Sequence, residues 1–463
     1  MFSKETYIQR RIALKRTIGS GLLLFWGNDE SGCNYADNTY PFRQDSTFLY
    51  FFGLPFAGLS AVIDIDNDKE IIFGDELTMD AIVWMGAQPT LREKCDAAGI
   101  HHVQPSKEIE NYLQNAGRKR QTIHYLPVYR AEHQIKLWTL LGILPGNEKP
   151  SPDFVKGVVN LRNYKTEEEI VEIEKACVVT ADMHLAMIRT VRPGLRECEV
   201  AAAVEAVAYA HNYRLSFPTI ATIHGQTLHN HDHGNMIKSG DLFLLDAGAE
   251  TEMGYAGDMS STVPADPVFT VRQREIHEIQ LACHEASVAA LRPGIRFEEV
   301  YDISARVIVD GLKSLGLMRG DTEEAVQAGA HALFYPHGLG HMMGLDVHDM
   351  ENLGEIHVGY DGQPKSKQFG RKSLRLARTL EPGFVHTIEP GIYFIPELID
   401  QWHSEKRLEA FINYDKVITY KDFGGIRNEE DYLITATGAR LLGKKISKKT
   451  EDIEALRNEE VIF

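Results

Sequence analysis

A chain of 463 residues exceeds what one hydrophobic core usually serves, so two domains are expected. Its formal net charge is −17 and no lysine or arginine tract stands out, which argues against nucleic acid and anionic membrane surfaces as partners. The five cysteines (Cys33, Cys95, Cys177, Cys198 and Cys283) are odd in number, widely spaced and free of any Cys-x-x-Cys pattern, which argues against a disulfide framework and a thiolate metal site.

The opening Met-Phe-Ser-Lys-Glu-Thr lacks the charged-then-apolar order of a secretory signal, and no apolar run approaches the ~20 residues that span a bilayer. A cytoplasmic protein is the simplest reading. Residues 1–150 alternate short apolar strands, such as Leu22–Trp26 and Ala61–Ile65, with helical stretches, which predicts an α/β N-terminal domain. The segment Pro145-Gly-Asn-Glu-Lys-Pro-Ser-Pro152 carries three prolines and a glycine and is the expected linker. Beyond it, Thr166-Glu-Glu-Glu169 is a capping box that opens a long amphipathic helix through Ile170, Ile173, Ala176 and Cys177.

The stretch Val191-Arg-Pro-Gly-Leu-Arg-Glu-Cys-Glu-Val200 recurs as Leu291-Arg-Pro-Gly-Ile-Arg-Phe-Glu-Glu-Val300, with six identities in ten places. Each copy follows one helical run and opens another, so a catalytic domain of two similar halves is expected over residues 155–440, with the site between them. Residues 441–463 form a C-terminal tail without a reading of their own.

Acidic residues then interrupt apolar or glycine-rich frames. Asp246 ends the apolar run Leu242–Leu245, Asp258 follows Gly257, Glu389 follows Phe384, Val385 and Ile388, and Glu429 precedes the strand-like Tyr432–Thr435. Buried carboxylates need opposite charge. Two divalent cations would balance these four acids, with neutral His341 as a fifth ligand. A set rich in oxygen and lacking cysteine favours manganese, with iron or cobalt as substitutes, over zinc.

With these residues in hand, the C-terminal part resembles the pita-bread metallopeptidases, a family that includes methionine aminopeptidase, Xaa-Pro aminopeptidase, Xaa-Pro dipeptidase and creatinase. The motifs are Asp246-Ala-Gly-Ala249, Gly257-Asp258, Pro336-His-Gly-Leu-Gly-His341, Gly344-Leu-Asp-Val-His-Asp349, Thr387-Ile-Glu-Pro-Gly391 and Gly425-Ile-Arg-Asn-Glu429. The N-terminal Tyr40-Pro-Phe-Arg-Gln-Asp-Ser46 and Tyr50-Phe-Phe-Gly53 resemble the extra domain of the proline-specific members. The resemblance implies an α+β chain: a C-terminal pita-bread fold with an internal pseudo-twofold repeat, preceded by an α/β domain of the creatinase and aminopeptidase P type.

It further implies that Asp246 chelates one metal, that Asp258 and Glu429 bridge both, and that His341 and Glu389 complete the other. Glu389 would shuttle the proton, His348 would stabilise the tetrahedral intermediate and His229 would contact substrate, although His224, His231 and His233 share its loop. His337 would line the proline side, and Arg427 would stand beside the bridging glutamate. Arg375 matches the arginine with which prolidases grip the free carboxylate of a dipeptide, and Trp402 lies in a segment longer than in aminopeptidase P. An Xaa-Pro dipeptidase is therefore favoured. The alternatives are an Xaa-Pro aminopeptidase acting on longer peptides, and a metal-free creatinase-like or binding protein on the same fold. Relatives are typically dimers or tetramers whose N-terminal domains reach across to the neighbouring site, so a homo-oligomer is implied.

The chain departs from the family pattern at three places. An extra residue between Asp246 and Asp258 is expected to lie in the turn Glu250-Thr-Glu-Met-Gly254, because in a strand it would flip Asp258 to the wrong face. Asn428 and His386 stand where the family has apolar residues, and His386 reads as a satisfied strand histidine.

Overall fold

The computed structural model describes residues 1–457; the last part of the C-terminal tail, 458–463, lies outside the described residues. The chain divides into two compact units, one of residues 1–162 with 350–357 and one of residues 163–349 with 358–463.

The first unit is built on a mixed sheet of β1 (Leu22–Trp26), β2 (Ser60–Asp64), β3 (Lys69–Phe73), β4 (His102–Gln104) and β5 (Ile123–Tyr125), in the order β4-β3-β2-β1-β5. Strands β1 and β2 are buried on both faces, as their unbroken apolar runs require. Helix α1 (Lys4–Ile18) packs on the helices Ser46–Phe52 and Pro152–Arg162, while α2 (Met79–Met85) buries none of its residues and leaves Trp84 86% exposed. The Tyr40–Gly53 motif has a local role. Asp45 caps the helix Ser46–Phe52 by accepting the Phe48 amide, and Gln44 is bonded to Asn28, Asp45 and Phe56.

The expected linker, Pro145–Pro152, runs directly into a further helix of the first unit. Pro152 opens a helix, α3 (Pro152–Arg162), since proline is tolerated in the first helical turn. Phe154 packs edge-on against Phe25, and the Tyr50 hydroxyl bonds the Leu161 carbonyl. Apolar packing thus keeps α3 in the first unit, and the division falls after Arg162.

The second unit carries the repeat as two helical hairpins. Helix α4 (Glu167–Thr190), opened by the Thr166–Glu169 capping box, leads into α5 (Glu197–Ala210); α6 (Val271–Ala290) leads into α7 (Phe297–Ser314). The turns between them are equivalent. Gly194 and Gly294 have φ of 95° and 87°, and their amides donate to the carbonyls of Ile237 and Leu380. Each hairpin is paired with a small antiparallel sheet. The first half has β6 (Ile220–Thr222), β7 (Leu242–Asp246) and β8 (Ser260–Pro264), in the order β8-β7-β6. The second has β9 (Val385–Ile388), with β10 (Gly391–Tyr393) pairing β11 (Gly425–Arg427), and then β12 (Glu430–Ile434) and β13 (Ala439–Leu441), in the order β9-β12-β13. The tail continues from β13 into α8 (Thr450–Arg457), which packs on α4 and α6.

The strands on either side of the turn 250–256 stay paired in register. Glu250 bridges Ala256, and the Gly254 amide closes on Thr251, while Asp246 stays opposite Ser260. His386 is fully buried, but only half satisfied. Its Nδ1 donates to the Thr387 carbonyl, the ring packs on Phe297, and Nε2 has no partner among the described residues.

Several core histidines are held neutral. Burial drives His184 and His277 down to about 3 and His331 to about 4, from an ordinary 6.5. The unfolded chain therefore binds more protons in this window, and the stability present above 6.5 is lost as pH falls toward 4. The melting temperature is expected to drop across that window, and His277→Phe, at a ring with no hydrogen-bond partner among the described residues, to flatten the slope. Thermal scans over this range check it; parallel profiles for both proteins would count against the account.

Candidate metal centre

The two halves each deliver two acids to one place. Asp246 ends β7 and Asp258 precedes β8; Glu389 follows β9 and Glu429 precedes β12. The halves are stitched by the Glu429 amide, which donates to the Ser260 carbonyl at 3.0 Å. His341 arrives on the Pro336–His341 loop, whose course depends on close backbone approach. A Cβ at Gly340 would sit 2.2 Å from the Thr387 carbonyl oxygen. With no side chain there, the His341 amide reaches Thr387 Oγ1 and the Thr387 amide reaches the His341 carbonyl.

The donor set is chemically incomplete as protein alone. His341 Nδ1 donates to the Met342 carbonyl at 3.1 Å, so Nε2 carries the lone pair. That lone pair faces Asp258 Oδ2 at 3.3 Å and Glu389 Oε1 at 3.7 Å. Burial holds the imidazole well below its ordinary pKa, so the ring itself brings no second proton to these acceptors. Asp258, His341 and Glu429 offer ligand atoms within 4.8 Å of one another, and the Oδ1 atoms of Asp246 and Asp258 are buried without a hydrogen-bond partner. Acceptors converging without donors are what a cation requires. The residues present fit divalent ions.

Electrostatics say the same. Burial and the neighbouring carboxylates raise Asp258 and Glu429 well above the carboxylate range, and burial pushes Glu389 up to about 7. One cation is built in. Arg427 donates to Asp246 Oδ2 at 2.6 Å, to Ser260 Oγ at 2.9 Å and to the Tyr393 hydroxyl at 2.9 Å. Ser260 passes the bond on to Glu429 Oε2 at 2.8 Å, and Tyr393 bonds His337 Nε2 at 2.9 Å. Since His337 Nδ1 donates to the Gly338 carbonyl, the tyrosine is the donor to Nε2, and one chain of bonds fixes His337, Tyr393, Arg427 and Asp246.

All ten residues singled out in the sequence line one cavity of about 300 Å³: Asp246, Asp258, His341, Glu389, Glu429, His229, His337, His348, Arg375 and Arg427. The His348 ring lies 4.2 Å from that of His341. In the histidine-rich loop, His229 and His231 both face the cavity, whereas His233 donates to the Thr219 carbonyl.

Residues 171–436 match metallopeptidase family M24, and residues 7–124 match the aminopeptidase P N-terminal domain. The chain belongs to metallopeptidase family M24. Within that family it is 31% identical to the Xaa-Pro aminopeptidase of Escherichia coli (strain K12), over 98% of each chain. It is 29% identical to the human Xaa-Pro dipeptidase, over 94% of this chain and 88% of the relative. Among solved structures, zinc-substituted E. coli aminopeptidase P in complex with product superposes with a TM-score of 0.81 at 30% identity, covering 98% of each chain. The fold is thus that of aminopeptidase P, and the chain is a metallopeptidase whose family implies divalent metal ions.

Sequence reasoning missed Tyr393 and Ser260, and kept His231 as one of the loop alternatives to His229. The signal for Tyr393 was a single polar-tipped residue in the apolar strand after Glu389-Pro-Gly391; Ser260 gave none, because its neighbours are brought by the other half.

Adding Mn²⁺ to chelator-stripped protein is expected to raise its melting temperature, by about 2.7 kcal/mol of stability at a hundred-fold excess over Kd. Asp258→Asn is expected to lose that increment while melting no lower than stripped wild type, because it removes a buried like charge. Calorimetry decides, and a wild-type melting temperature indifferent to the ion would contradict the metal centre.

Proposed function

We propose that the chain hydrolyses the peptide bond preceding proline with two divalent ions, Mn²⁺ foremost, held by Asp246, Asp258, His341, Glu389 and Glu429, and that it prefers Xaa-Pro dipeptides. The observation that carries the metal assignment is the neutral His341 lone pair facing the carboxylates of buried Asp258 and half-buried Glu389. All five ligand positions are filled, which argues against a metal-free creatinase-like or binding role. Bound divalent ions lower the pKa of water toward neutrality and polarise a carbonyl.

The chain's own residues supply the rest. Glu389 takes the proton of the attacking water and passes it to the proline nitrogen. His348 donates to the oxygen that gains charge in the tetrahedral intermediate. Arg427 holds Asp246 directly and Glu429 through Ser260, so that ligands from both halves keep their orientation. His229 contacts the substrate, and His337, oriented by Tyr393, forms the polar edge of the proline pocket. The scissile bond is a tertiary amide without an N–H, so this pocket needs no acceptor for it.

Dipeptide preference rests on Arg375, which lines the same cavity with Ser373 and whose fork matches a free carboxylate. A cavity of about 300 Å³ is small for a ligand site and suits a short substrate. The second reading is an Xaa-Pro aminopeptidase, favoured by the end-to-end likeness to the E. coli aminopeptidase. Turnover of Mn²⁺-loaded protein on Ala-Pro against Ala-Pro-Ala separates them. The dipeptide is expected to be cleaved preferentially, and Arg375→Ala to lose about 10–100-fold in kcat/KM on it, the worth of one charge-assisted contact. Preference for the tripeptide with an indifferent variant would make the enzyme an aminopeptidase.

Homo-oligomerisation in the cytoplasm completes the reading. It is supported by the unburied α2 with Trp84, while no helix among the described residues is long and apolar enough to cross a membrane. Light scattering is expected to give at least a dimer, and Trp84→Glu to shift it toward monomer.

A further inference from the structure

The family match ends at residue 436, yet the following segment builds the wall of a second cavity, of about 440 Å³. It lies between the C-terminal part of α6, strands β12 and β13, and the loop 445–449, and none of its lining residues lines the metal-centre cavity. One wall is apolar, from Leu281, Val288 and Leu441. The loop contributes Lys445, Lys448 and Lys449.

These lysines differ from ordinary surface cations. Lys448 is 6% exposed and spends one of its three donors on the Ser260 carbonyl, at 3.2 Å. The exposed Lys445 and Lys449 pair with no carboxylate among the described residues, whereas the adjacent Lys444 is held by Asp182. His284, 4% exposed, lines the same cavity with its Nε2 buried and without a hydrogen-bond partner. Two acids line the cavity with them, and Glu429 and Asp431 also attract Lys448. Glu430 already accepts the Tyr432 hydroxyl at 2.7 Å and lies 3.8 Å from His284 Nε2, and Glu285 is exposed on α6. The lining therefore offers donors in excess of acceptors, beside an apolar wall.

We propose that this cavity binds a small organic anion: a carboxylate bearing a short apolar chain, with its oxygens at Lys445, Lys448 and Lys449 and its chain against Leu281, Val288 and Leu441. The Ser260 carbonyl that receives Lys448 also receives the Glu429 amide, at 3.0 Å. Occupancy therefore bears on the position of Glu429. That coupling rests on Glu429 being a metal ligand, whereas binding itself does not.

The probe is hexanoate, titrated calorimetrically into Mn²⁺-loaded protein, with hexanol as the neutral control and Lys445→Ala/Lys449→Ala as the variant. Saturable binding of hexanoate with Kd at or below about 1 mM is expected, weakened about ten-fold or more in the variant, whose basal turnover of Ala-Pro stays unchanged. Hexanol is expected not to bind. Equal affinity in wild type and variant would assign the anion to the metal centre and overturn the proposal, as would the absence of saturable binding or equal binding of hexanol. A protein that turns over Ala-Pro but fails these tests keeps its catalytic reading and loses only this one.

Discussion

The constraint on which the second unit turns is the convergence of acceptors without donors around His341. A neutral imidazole lone pair stands 3.3 Å from the buried Asp258 carboxylate and 3.7 Å from that of half-buried Glu389, and a single proton can satisfy only one pair of the three. Such an arrangement is costly unless cations occupy the space between. The rest of the unit can be understood as what is needed to hold these groups against their repulsion: two helical hairpins, two small sheets, and a strand-end acid or pre-strand acid from each.

Holding them requires bonds that cross between the halves. Arg427, from the second half, is tied to Asp246 and Ser260 of the first, and the Glu429 amide is tied to the Ser260 carbonyl. A displacement of one half therefore moves ligands contributed by the other. The network also reaches substrate-facing groups, since Tyr393 bonds both Arg427 and His337. The acids gain orientation from one buried guanidinium, whose single charge does not cancel theirs; the remaining charge is what the divalent ions of this family balance.

Much of the site was legible in the sequence because each ligand interrupts a strand frame with a residue that an apolar core does not accept alone. Asp246 after Leu242–Leu245 and Glu389 after Ile388 are visible in that way. The repeat around Gly194 and Gly294 was visible because only glycine takes the turn's positive φ without strain, so both copies preserve it. The helix that follows the expected linker was not legible, for an equally physical reason. Pro152 reads as a breaker, yet it serves as a helix start, and the packing of Phe154 on Phe25 assigns the helix to the first unit. The second cavity could not be anticipated, since Lys445–Lys449 reads as a solvated tail until β13 and α6 are seen beside it.

By itself the sequence determined the two-part organisation, the paired halves, the five acceptor residues and the family they resemble, because periodicity, glycine turns and isolated acids are local signals. Only the tertiary structure decided that these acceptors meet, that the His341 lone pair faces carboxylates, and that Tyr393 and Ser260 link ligands from different halves. Those facts depend on contacts between residues as far apart as Asp246 and Arg427, which no local pattern encodes; they are fixed when the two sheets close on one another.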